Sequence, residues 1–195
     1  MKKKAIVITL SFLCIVTITT ICVYFGYGTT LINPNSEKSL NKHLGVSNNS
    51  IITILSQTKY NEYLGILYTD SNDENNDIIH FSYLRESKII KNHYKLYGGK
   101  NGNSTINSAK ISREDDYTYD SPIYFIYGRN VKDNLCTVFE CNENGYLTHR
   151  IEEIFISDSP FIITKNYRLS NESDIFVFEG KVTEKDVSEM MEENN

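Results

Sequence analysis

From Ala5 to Tyr27 the chain reads AIVITLSFLCIVTITTICVYFGY, without a charge, and the next charged residue is Glu37. A helix that crosses about 30 Å of hydrocarbon needs about 20 mostly apolar residues. The stretch therefore predicts one transmembrane helix over Ala5–Tyr27. Its Ser and Thr hydroxyls can return to carbonyls of the same helix. Lys2, Lys3 and Lys4 precede it, and the positive-inside rule keeps them in the cytoplasm. Everything after the anchor is then extracytoplasmic, with Tyr24, Phe25 and Tyr27 at the level of an interfacial aromatic belt. The alternative is a cleaved signal peptide, with an apolar core of roughly 7–15 residues and a small-x-small cleavage site. This core is longer and no such site follows, so the uncleaved anchor is the reading adopted. Cys14 and Cys22 lack the surroundings of a lipidated cysteine and read as small packing residues.

Beyond the anchor, residues 29–50 read as a tether ending at Pro34 and a short helix. Ser36 is its N-cap, Glu37 stands in the first turn, Leu40 and Leu44 share a face and Gly45 follows the end. Ile51, Ile52, Ile54 and Leu55 suggest one more helical turn. Residues 51–195 form the extracytoplasmic domain, with lobes 51–115 and 119–182 and a C-terminal helix 183–193 as the expected subdivision. Strands are expected at Tyr60–Thr69, Ile78–Arg85, Ile89–Tyr97, Thr105–Arg113 (an edge), Ser121–Gly128, Leu135–Cys141, Tyr146–Ile156, Phe161–Leu169 and Asp174–Gly180. Ser121–Gly128 is apolar on both faces and should be the most buried. Gly98–Gly102 and Asn142–Gly145 are turn sequences. Thr183 and Asp186 open the last helix as a capping pattern. No repeat and no β-α-β alternation is present. The expected fold class is α+β, mostly antiparallel β (sandwich-like or two small β lobes) with short flanking helices, preceded by the transmembrane helix.

The chain carries 20 Lys+Arg against 25 Asp+Glu, and three of the lysines sit at the N-terminus. An acidic surface of this kind argues against nucleic acid as a partner. Cys136 and Cys141 lie five apart in a predicted strand, about 16 Å along it and on opposite faces. A disulfide needs Cα atoms within about 7 Å, so both are expected as free, buried thiols. They lack zinc-site spacing as well.

No sequence motif for catalysis, metal or cofactor emerges, and the expected cofactor and metal content is none. The weak catalytic candidates are Glu140 and Glu179, inward-pointing carboxylates of neighbouring strands that could form a glycosidase pair. Cys136 or Cys141 with His149 could form a nucleophile–base pair, although nothing nominates an orienting acid or an oxyanion hole. Asp70–Asp77 is acidic enough for Ca²⁺, but Asn75 and Phe81 stand where an EF-hand loop needs Gly and Glu. It reads as a solvated hairpin loop. His43, His80 and His93 read as surface or rim residues, and the strand aromatics as core. Asn103-Ser104-Thr105 matches a glycosylation sequon, relevant only in a eukaryotic secretory pathway.

The basic start, the apolar helix, Asn33-Pro34-Asn35-Ser36-Glu37 and the aromatic strand Ile123-Tyr124-Phe125-Ile126-Tyr127-Gly128 together resemble small single-pass membrane-tethered proteins of Bacillus-type low-G+C Gram-positive bacteria. The resemblance implies topology and carries no activity. The function expected is a non-catalytic binding, sensor or accessory module in the cell envelope, held by the membrane and contacting an envelope protein partner. The alternatives are an envelope glycan-acting enzyme and an immunity protein against a secreted toxin.

Overall fold

The computed structural model describes residues 11–22, 30–45, 47, 49–73, 78–102, 105–111, 122–170 and 173–187. Helix α1 covers residues 11–22 and α2 covers Glu37–Leu44. The strands are β1 (Ile52–Tyr60), β2 (Tyr63–Asp70), β3 (Ile79–Glu86), β4 (Tyr94–Gly102), β5 (Ile106–Ile111), β6 (Ile123–Gly128), β7 (Leu135–Cys141), β8 (Leu147–Phe155), β9 (Phe161–Asn166) and β10 (Asp174–Glu179). They pair antiparallel into three sheets, ordered β1-β2-β3-β4, β5-β6-β9 and β10-β7-β8.

The N-terminal expectation is corrected. The described part of the apolar stretch is a helix about 18 Å long at 1.5 Å per residue. Among the described residues no helix is long and apolar enough to cross a membrane. Thr17, Thr19 and Thr20 dilute its apolar surface, and each hydroxyl returns to the carbonyl four residues earlier. Residues 5–10 and 23–27 lie outside the described residues. The transmembrane helix Ala5–Tyr27, the single-pass topology, the mixed fold class built on them and the extracytoplasmic location are therefore withdrawn. What stands is a β-rich chain of three antiparallel sheets with few, short helices.

The sheets stack as layers, because strand residues alternate between faces. On β6, Ile123, Phe125 and Tyr127 pack with Tyr63, Leu67, Ile79 and Phe81 of the first sheet. The intervening Tyr124 and Ile126 pack with Cys136, Val138, Ile154 and Ile175 of the third. The middle sheet is thus buried on both faces, and every residue of β6 is buried. A strand of this kind loses the polar alternation of a solvated sheet. The outer face of the first sheet is covered by Leu40 and Leu44 of α2 and by Ile32. The outer face of the third is partly covered by Val182 and Val187, over Phe139. Residues 184–187 form a single helical turn. The rest of the expected C-terminal helix lies outside the described residues.

Gly128 ends the central strand where the backbone comes very close. A Cβ there would lie 2.1 Å from the Thr105 carbonyl oxygen and 3.0 Å from Ile106 Cα. Backbone atoms cannot rotate away, so overpacking should cost about 1–3 kcal/mol or more. Gly128→Ala is expected to lower the thermal midpoint, whereas Gly145→Ala meets no neighbouring atom and tests only the cost of its φ of +80°. Equal losses in a differential scanning comparison would contradict the close-approach reading.

Candidate functional site

Glu140 is 3 % exposed and lies on the β7 face that meets the middle sheet. The Ser170 N–H donates to its Oε1 at 2.9 Å, and His149 Nε2, directly across the ladder on β8, lies 3.4 Å from its Oε2. Burial pushes its carboxyl up, but hydrogen bonds from Ser173 and Ser170 and the nearby His149 outweigh it and hold the group below its ordinary value. A general acid needs the opposite shift. Here the carboxylate is a charged staple that fixes the chain after β9 to β7.

Glu179 does not join it. Glu140 stands opposite Ile175 and Glu179 opposite Cys136. The four-residue offset separates their backbones by about 13 Å, beyond the roughly 5–9.5 Å of a glycosidase pair. Glu179 instead accepts from Thr105 Oγ1 at 2.9 Å. The thiols are no better placed. Cys136 faces Ile154, four rungs from His149, and burial pushes its thiol up to about 11. Cys141 is raised by burial too. A reactive cysteine needs the reverse. Both are free and buried.

His80 departs from the sequence reading. It is buried, its Nε2 lies 2.6 Å from Asp73 Oδ2, and its ring stacks on Tyr68 at 5.2 Å. Asp70 is buried beside it, and its Oδ1 accepts the Asn72 N–H at 3.0 Å. The Asn72 side chain donates to Ser47 and Ser50, both at 3.0 Å. These bonds tie the chain after α2 to the β2–β3 turn. The carboxylates of Asp70 and Asp73 are thereby engaged. Among the described residues no group of acidic, His or Cys side chains could hold a metal ion, and residues 74–77 of the Asp70–Asp77 loop, expected as a solvated hairpin loop, lie outside them. The signal for His80 was its parity with Ser82 and Leu84 on β3, which points it toward the α2 side.

No family model, curated protein or solved structure matches this chain.

The remaining candidates are surfaces. A shallow open cleft of about 280 Å³ lies between Pro34, Gln57, Lys59, Leu64, Asn92 and Tyr94. It falls just below the usual span for small-molecule pockets, about 300–1,000 Å³. The outer face of the third sheet is larger in apolar content. Phe155 is 80 % and Phe176 51 % exposed there, on either side of β7. Phe176 packs on Phe178 at 4.8 Å between ring centroids, and Phe178 on Phe139 at 5.6 Å. Arg150 and Glu153 form a 2.6 Å ion pair on β8.

Proposed function

We propose that this chain is a non-catalytic binding module that recognises a protein partner through the outer face of the third sheet. The observation that supports this reading is the exposure of Phe155 and Phe176 around a phenylalanine pair already seated on the sheet. Interface cores are enriched in aromatic residues and rimmed by polar ones, and Arg150 with Glu153 supplies such a rim. Each exposed ring gains roughly 25 cal/mol for every Å² of apolar surface it buries. The interior carboxylates and thiols serve the fold, which leaves this face for recognition.

Photo-crosslinking in intact cells tests the reading. With p-benzoylphenylalanine at position 155 or 176, one protein should be captured at both positions. Capture at 155 should be lost when Phe176→Ser is added. The same yield of captured protein from the exposed Lys181 position, or none above background from either, would overturn it.

A further inference from the structure

The shallow cleft at Tyr94 lies on the outer face of the first sheet, the α2 side. Leu64 and Tyr94 form its floor, 6 % and 4 % exposed. One wall is the chain at Pro34 and Asn35, between the Ile32–Tyr94 bridge and α2. Another is β1, where Gln57 pairs with Ile66 and Lys59 with Leu64. Directly paired residues of an antiparallel ladder share a face. Leu64 and Ile66 pack with Leu40 and Leu44 of α2, so the Gln57 and Lys59 side chains leave the sheet on the cleft side. Asn92 joins the lining from the β3–β4 loop, at a φ of 57°. Lys59 is the one charged residue of the lining, and it is engaged. Its Nζ lies 2.7 Å from Glu86 Oε2 and 5.7 Å from the centre of the Tyr94 ring. Asn35, Gln57 and Asn92 are exposed, and their side-chain amides make no hydrogen bond among the described residues.

A primary amide offers both donors and an acceptor from one planar group. Three of them around one small floor match a ligand whose own groups donate and accept at close spacing, as the vicinal hydroxyls of a sugar do. The apolar floor suits the C–H face of a pyranose ring. A carboxylate or phosphate would find no cation that Glu86 has not already taken. The volume of about 280 Å³ is room for one sugar unit and falls short of a drug-sized ligand. We propose that this cleft is a subsite for a neutral hexopyranose, such as the end of a saccharide, held by the amides of Asn35, Gln57 and Asn92 over Leu64 and Tyr94. The site is separate from the aromatic face of the third sheet, and either can fail without the other.

The test uses the full chain and saturation-transfer difference NMR with the methyl glycosides of glucose, galactose, mannose and N-acetylglucosamine. At least one should receive saturation at its ring protons, with a Kd on the order of 1 mM, the scale that ligand efficiency sets for so small a molecule. A lost hydrogen bond is worth up to about tenfold in affinity. Asn35→Ala and Gln57→Ala should each weaken binding by that order. So should Asn92→Gly, which keeps the left-handed backbone. The Gln57→Ala/Asn92→Gly double variant should abolish the signal, and its circular dichroism should be unchanged because both positions are exposed. Saturation of none of the four glycosides overturns the proposal. So does unchanged binding by the single variants or the double variant. Binding of N-acetylglycine N-methylamide as tightly as the best glycoside also overturns it and reassigns the cleft to a peptide.

Discussion

Phe125→Ala should lower the unfolding free energy by about 3–5 kcal/mol, the usual cost of emptying a buried phenylalanine site. Phe125 is fully buried in the strand that both outer sheets pack against. Its ring lies 5.5 Å from Phe81, which stacks on Tyr127 at 4.1 Å. Gly65 on β2 makes room for both rings: a Cβ there would stand 3.2 Å from each. Urea unfolding followed by circular dichroism would show a lower midpoint with an unchanged slope, because the surface exposed on unfolding is the same. A loss under about 1 kcal/mol, the scale of a lightly packed surface site, would mean that the first and second sheets are not held by this contact.

The second large effect belongs to Glu140→Gln. The substitution keeps the shape and removes the charge that accepts from Ser170 and Ser173. Weakening charged hydrogen bonds inside a protein costs about 1–3 kcal/mol. The pH dependence has a definite sign. Burial raises the Glu140 carboxyl, but the hydrogen bonds and His149 hold it below its ordinary value in the folded chain. The unfolded chain therefore takes up the proton first. The stabilisation is complete above the ordinary carboxylate range, near pH 4.3, and is lost as pH falls through the folded value. Glu140→Gln should lower stability near neutral pH and flatten the acid limb of the stability curve. An acid limb of unchanged slope in urea titrations between about pH 3 and pH 7 would show that Glu140 is not a source of it.

Residue chemistry made β6 legible, because SPIYFIYG has no polar face to give to water. Leu135–Cys141 was legible in the same way, and its strand geometry explains two cysteines that stay apart. Other elements depended on neighbours that a local pattern does not contain. Ile51–Leu55, read as a helical turn, belongs mostly to β1, where Ile52 pairs with Asp70. Tyr60–Thr69, read as one strand, is broken by Asn61 at a φ of 53°, and Tyr60 pairs back on Tyr63. Ile89–Tyr97 alternates like a strand, but Ser87 Oγ accepts from the Ile89 and Ile90 N–H groups and Asn92 turns at a φ of 57°. The strand therefore starts at Tyr94. The N-terminal expectation took residues 5–27 as one helix, whereas the described helix there spans residues 11–22 and, among the described residues, no helix is long and apolar enough to cross a membrane. Glu140 and Glu179 were correctly put on adjacent strands, but parity carries no register, and the register keeps them apart.

The order of strands has a consequence for how the chain is made. β1 to β4 are consecutive, so a ribosome delivers the whole first sheet as one meander. β6 follows with β5 on one side only, and β9 reaches its other side after the β7–β8 hairpin has emerged. Until β5 and β6 emerge, the nascent meander shows Tyr63, Leu67, Phe81 and Tyr83, which pack against those strands in the finished fold, and sequence-distant pairing of this sort is slow. The newborn chain is thus at its stickiest around the midpoint of translation, when it most needs a chaperone's shelter.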